Sequence, residues 1–316
     1  MKSLLEKPEK TTASTSSAVR WYALLACVYT GLIFILPASK QSMRAYHLSA
    51  LEYHVLLFAV VLPSLAIWFA GFYGYAKIQE YARSITKAPE SVDFARLAQG
   101  CAWLAWSLPV TAICSQLLNA IADAHSGFKP AAIIISNELS VVLPLIAFSI
   151  ISGASRNLVN RARVALSLAN ARGIMLLFVS GGVLYCYLVF RHLGPDSLGS
   201  ARNPYYLPIW LMLLLVIIPY LYTWFIGTLA AYEINNFSKK ARGLLYRQSL
   251  RLLALGLVAV IASSIALQYI SSVEPRVGYL VLNYKLILTT VFRLVGGAGF
   301  ILLAVGATRL KKIEEV

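Results

Sequence analysis

The sequence predicts an all-α polytopic membrane protein with about eight transmembrane helices, arranged as two parallel four-helix repeats. Three observations predict it: an apolar composition, a series of apolar runs of spanning length, and self-similarity at a fixed offset. Apolar residues make up 59% of the chain and charged residues 13%, against about half and a quarter in soluble domains. A soluble domain of this length cannot bury so much hydrocarbon. A bilayer can receive it, since a helix of about 20 apolar residues crosses its core.

Residues 1–19 are polar, with a Thr/Ser run from Thr11 to Ser17, and are expected to form a disordered cytoplasmic tail. Apolar runs follow at 20–38, 54–76, 98–121, 131–152, 173–191, 205–231, 250–271 and 284–307. The first reads as an uncleaved anchor, because Leu36 stands where cleavage after Ala38 would need a small residue. Pro63 and Pro219 lie within the second and sixth runs, where each removes a backbone donor and shapes the helix. The segments 77–97 and 232–251 interleave basic and apolar residues and read as solvated helical extensions, the first interrupted by Pro89.

Charge placement sets the orientation. With the N-terminus in the cytoplasm, 20 of the 28 Lys and Arg residues fall on that side, 7 on the other, and Arg293 inside the last run. This bias over short loops places both termini in the cytoplasm of a cell-membrane protein. It also accounts for the net charge of +15 without nucleic acid. The expected partner is the bilayer itself, with anionic lipids of the inner leaflet favoured by the basic loops; the sequence does not identify a protein partner.

The repeat appears on shifting the chain by 156 residues. Pro63, Leu65, Trp68, Phe69, Gly71 and Ile78 then fall on Pro219, Leu221, Trp224, Phe225, Gly227 and Ile234. At a shift of 153, Gly153-Ala154-Ser155-Arg156 meets Gly306-Ala307-Thr308-Arg309. A repeat at 20–156 and another at 173–309 follow, joined by a cytoplasmic connector at 157–172 and ended by a cytoplasmic tail at 310–316. Four spans return the chain to its starting side, so the copies share one orientation about an axis along the membrane normal.

Two ionisable residues lie inside apolar runs, Glu138 in the fourth and Arg293 in the eighth. Such groups are costly in a bilayer and face partners or a cavity. Arg293 aligns with Ser140, two residues from Glu138, so both charges sit at nearly the same depth. They are expected to pair across the repeat interface, as a register-fixing contact or as part of a site. Asn137, Gln116, Tyr220 and Tyr222 are the further candidate binding residues. Ser136, Ser263, Ser264, Gln268, Thr289 and Thr290 are polar groups suited to bonds between helices. Gly296, Gly297 and Gly299 permit close helix approach. Most of the 18 tyrosines flank the runs, as interfacial belts do.

Enzyme signatures are missing: the chain has no HExxH, no GxSxG and no phosphate loop ending in Lys-Ser or Lys-Thr. Asp93, Asp123 and Asp196 are read as loop residues, and His47, His54, His125 and His192 as solvated outer positions. Cys27, Cys101, Cys114 and Cys186 fall inside apolar runs without paired spacing and read as packing residues. No catalytic residue, metal or cofactor is expected. The expectation is a non-enzymatic multi-pass protein, a small-solute transporter or channel with its site at the repeat interface. The alternative is a sensor, scaffold or assembly protein acting through its cytoplasmic helices.

Overall fold

The computed structural model describes residues 13–35, 50–85, 88–124, 129–162, 218–241, 243–272 and 278–314, with isolated helical positions at 173, 176, 179, 180 and 183. The run at 173–191, apart from those isolated positions, and the first part of that at 205–231 lie outside the described residues. Seven helices are described: α1 (Ala13–Ile35), α2 (Ala50–Ser84), α3 (Ala88–Ala124), α4 (Lys129–Arg161), α5 (Ile218–Lys240), α6 (Leu244–Ser272) and α7 (Gly278–Glu314). Four of them, α3, α4, α6 and α7, contain stretches long and apolar enough to cross a bilayer. Their outward residues are apolar too, among them Trp103, Val142, Ile146, Leu255, Val258, Leu294 and Ile301. That surface suits hydrocarbon, as a helical membrane protein requires.

Six helices close a ring in the order α2, α3, α4, α5, α6, α7 and back to α2, and α1 packs outside it on α2 and α3. Aromatic contacts fasten α1: Tyr29 meets Trp68 with ring centroids 4.8 Å apart, and Trp21 meets Trp106 at 5.6 Å. Helix α1 begins inside the tail expected to be disordered, and Ala18 is buried against Phe72, Ala76 and Ala105.

The turns at one end are built by local chemistry. Pro89 stands in the first turn of α3, where a missing N–H costs nothing, and it disfavours a helical residue before it. Ser84 Oγ donates to the Tyr81 carbonyl at 2.7 Å, and Ser91 Oγ donates across the turn to that of Ala82 at 3.1 Å. After α5 the chain turns through Gly243 at φ +94°, a conformation glycine adopts without strain. Arg247 then caps α5 from the next helix, its Nη2 donating to the Lys239 carbonyl at 2.8 Å. We call this the basic end, because α2, α4, α5 and α7 all carry Arg or Lys in their last turns there.

Among the described residues, the largest fully buried side chains include Tyr81, Phe72, Phe94, Ile78, Ile151, Leu158, Ile234 and Leu250, in the half nearer the basic end. The segments 77–97 and 232–251 are thus helical, but they are not solvated extensions. Ile78, Tyr81, Phe94, Leu97, Ile234 and Leu250 of these segments are buried in the core, whereas Val92, Leu244 and Leu245 are exposed, and Tyr81 and Phe94 meet edge to face at 4.9 Å. Helices α6 and α7 cross at contact distance there. A Cβ at Gly256 would lie 2.7 Å from the Gly299 carbonyl oxygen, and one at Gly299 would lie 2.7 Å from that of Gly256.

Candidate functional site

Toward the far end the ring opens around a cavity of about 500 Å³, walled by residues from all seven helices. Its floor, nearest the basic end, is Trp68, Leu104, Phe148, Val260 and Phe300. Above this apolar floor the wall becomes hydroxylic, with Tyr29, Ser64, Ser107, Thr111, Ser140, Tyr220, Ser263, Ser264 and Thr289. Arg293 stands among them as the charged group of the wall.

Several hydroxyls are committed to holding the wall together. Ser140 and Tyr220 hydrogen-bond to each other, tying α4 to α5. Ser263 Oγ donates to the Phe292 carbonyl at 2.7 Å, which fixes the level of α6 against α7. Ser107 Oγ returns to the Leu104 carbonyl of its own helix at 2.7 Å. The hydroxyls of Thr111, Ser264 and Thr289 have no hydrogen-bond partner among the described residues. Tyr220→Phe should therefore lower thermal stability by about 1 kcal/mol, the usual size of a bond between membrane helices. In a cycle with Ser140→Ala, measured as the melting temperature in nanodiscs, the double variant should cost no more than either single one.

Of the residues expected at the site, Arg293 and Tyr220 line this cavity together, with Ser263, Ser264 and Thr289. Tyr222 does not: it is 54% exposed and is not part of the wall. Successive helical residues point about 100° apart, so with Tyr220 facing inward its neighbour two positions on turns away. Gln116 is half-buried in α3 and does not line the cavity. The side chains of Asn137, Glu138 and Gln268 lie outside the described residues, and so does the expected pairing of Glu138 with Arg293. Cys101 is buried as expected of a packing residue, whereas Cys27 is exposed.

A second polar cluster, at the basic end, was assigned to solvent by the sequence reading. Asp93 is not a loop residue. It lies in α3 and is 0% exposed, its Oδ2 2.8 Å from Arg161 Nε and its Oδ1 accepting from Asn157 Nδ2 at 3.3 Å. Glu233, just past the apolar stretch of α5 that ends at Ala231, is also 0% exposed. It accepts from Ser155 Oγ at 2.5 Å and stands 3.6 Å from Arg156 Nε. Burial pushes the Glu233 carboxyl above its ordinary range, against the opposing pull of Ser155 and Arg156. The end of α4 thus joins α3 on one side and α5 on the other. Helical spacing carried a signal for Glu233, which occupies the stripe Ile226, Ala230, Glu233, Ile234 and Phe237 that faces the core.

No three His, Cys, Asp or Glu side chains gather as a metal site among the described residues. Comparisons with protein-family models, curated proteins and solved structures find no match to this chain.

Proposed function

We propose that the chain is a transporter of a small solute in the cell membrane, that its eight spans form two parallel four-helix repeats, and that the solute binds between the repeats. The observation that carries this reading is the composition of the cavity wall. Its α3 residues Leu104, Ser107, Leu108 and Thr111 stand 156 positions before its α6 residues Val260, Ser263, Ser264 and Leu267. The same offset relates Ser64 to Tyr220, and an offset of 153 relates Ser140 to Arg293. Equivalent positions of two copies face a common space only when the axis relating them runs through it. In parallel-repeat transporters, solutes bind at that interface.

Helix ends support the duplication. Ser84 and Ala88 bound the α2–α3 turn as Lys240 and Leu244 bound the α5–α6 turn, again 156 residues on. The ring order repeats after three helices, α2–α3–α4 and then α5–α6–α7. The excess of Lys and Arg at the basic end favours a cytoplasmic position for that end and for both termini. The cavity then belongs to the outer half and the solid core closes the inner one, as in an outward-facing state. A scaffold acting through its cytoplasmic ends is less well served, because Ile78, Tyr81, Phe94, Ile234 and Leu250 are spent inside the bundle.

The test is transport itself. Purified protein in proteoliposomes should support saturable counterflow of at least one solute from a broad panel. A cysteine introduced at Thr289, in a background without native cysteines, should react with a membrane-impermeant thiol reagent from the outer side and be protected by that solute. Absence of flux across the panel, with the cysteine unreactive from either side, would remove the transporter reading.

A further inference from the structure

We propose that Glu233 is a proton-binding site on the seam between α4 and α5, loaded while the basic end is closed and emptied to water as that seam opens. The proposal rests on the transporter reading only for its consequence, which is to couple opening of the inner end to a proton. Glu233 is 0% exposed and meets the end of α4. Ser155 Oγ lies 2.5 Å from its Oε2, whereas Arg156 Nε stands 3.6 Å from its Oε1, beyond hydrogen-bond reach. Oε1 has no hydrogen-bond partner among the described residues.

Ser155 decides which form of the acid fits. Its Oγ also lies 3.0 Å from the Ser152 carbonyl of its own helix, and a hydroxyl has one proton to give. An ionised Glu233 must take that proton away from Ser152, and its second oxygen still accepts nothing. A neutral Glu233 completes a chain: its O–H donates to Ser155 Oγ, and Ser155 donates to the Ser152 carbonyl. The closed seam therefore suits the protonated acid. Asp93, equally buried at the same end, is held differently. Arg161 reaches it at 2.8 Å and Asn157 donates to its other oxygen at 3.3 Å, a setting for an ion.

The charged groups around Glu233 leave this balance in place. Helix α4 brings Arg156, which is 60% exposed, and Arg161, which is taken by Asp93. Helix α6, the other neighbour of α5, brings Tyr246, Arg247 and Arg251. Tyr246 meets Tyr81, Arg247 caps the carbonyls of Ser238 and Lys239, and Arg251 is exposed. On α5 itself Lys239 donates to Asn236, and Lys240 is exposed. Burial thus outweighs the pull of Ser155 and Arg156, and the carboxyl holds its proton more tightly than an exposed one.

A proton favours whichever state binds it more tightly. Parting α4 from α5 would let water solvate the carboxylate and return it to ordinary acidity. Proton binding therefore favours the closed seam, and rising pH favours the open one. The seam between α7 and α2 is built differently. At the offset of 156 Glu233 corresponds to Lys77, which pairs with Glu80 of its own helix at 3.0 Å. At 153 Ser155 corresponds to Thr308, which donates to the Ala304 carbonyl of α7.

Two measurements on the full chain in nanodiscs, with no solute added, test the proposal. Infrared titration should show a carboxylic-acid C=O band that persists above the pH at which exposed carboxylates ionise. That band should be lost in Glu233→Gln and kept in Asp93→Asn. Arg156→Gln removes the opposing positive charge and should move the midpoint to higher pH. Spin labels on cysteines introduced at the exposed Asn160 of α4 and Lys240 of α5, without native cysteines, should move apart as pH rises through that midpoint. Glu233→Gln, a stand-in for the neutral acid, should hold the short distance at every pH. Labels at the exposed Arg83 of α2 and Lys312 of α7 should not respond.

If Glu233→Gln does not fold, the shift in Arg156→Gln and the label distances in the otherwise native chain still decide. A seam distance indifferent to pH, or an acid band unchanged by both Glu233→Gln and Arg156→Gln, would overturn the proposal and leave the transporter reading standing. Conversely, a seam that opens with pH in a protein carrying no solute of the panel would remove the transporter reading and leave the proton site.

Discussion

Arg161→Gln should destabilise the protein by about 3 kcal/mol, while Asp93→Asn should cost only about 1 kcal/mol. Both substitutions break one ion pair, but they strand different partners. Asp93 is 0% exposed in α3, and Arg161, 46% exposed at the end of α4, reaches it at 2.8 Å. Removing the arginine leaves a buried carboxylate whose remaining bond is a longer one from Asn157 at 3.3 Å. Removing the carboxylate releases a guanidinium that is already half in water and turns out to be solvated. The double variant should therefore be more stable than Arg161→Gln alone. Melting temperatures of the three variants in nanodiscs check this; equal losses from the two single changes would mean that Asp93 is reached by water.

The crossing of α6 and α7 should be equally sensitive. Gly256→Ala or Gly299→Ala should each cost about 1–3 kcal/mol, the range for overpacking an interior. In either case the added methyl would stand 2.7 Å from a carbonyl oxygen of the facing helix, and backbone cannot swing aside as a side chain can. Two such changes relieve their strain by one and the same movement, the separation of α6 from α7. The loss in the double variant should accordingly fall well short of the sum of the single losses. By contrast Gly153→Ala, where nothing lies within 4 Å, should not lower the melting temperature and, in mid-helix, should raise it slightly.

The membrane-spanning character was legible because it depends on local composition. The apolar runs at 98–121, 131–152, 250–271 and 284–307 lie inside α3, α4, α6 and α7. Arg293 and Tyr220 were legible for a related reason: a charge in an apolar run has few places to go, and a tyrosine deep in such a run is far from the interfacial belt. Asp93 and Glu233 were not. Each lies in a polar stretch, Pro89-Glu90-Ser91 before one and Asn235-Asn236 after the other, and local polarity assigns such residues to water. What buries them is the end of α4, 64 residues beyond Asp93 at Asn157 and 78 before Glu233 at Ser155. The helix boundaries were displaced for the same reason. The apolar runs read from composition stop at 76 and 152, whereas α2 and α4 continue to Ser84 and Arg161, where neighbouring helices bury Tyr81, Ala82, Leu158 and Val159 of their last turns.

Hydrostatic pressure distinguishes the hollow half of this bundle from the solid one. A close-packed interior is nearly incompressible, whereas pressure favours whatever arrangement removes void. Under pressure the protein should therefore yield first around the cavity bounded by Tyr29, Thr289 and Arg293, and later where Tyr81, Phe94 and Leu250 are fully buried.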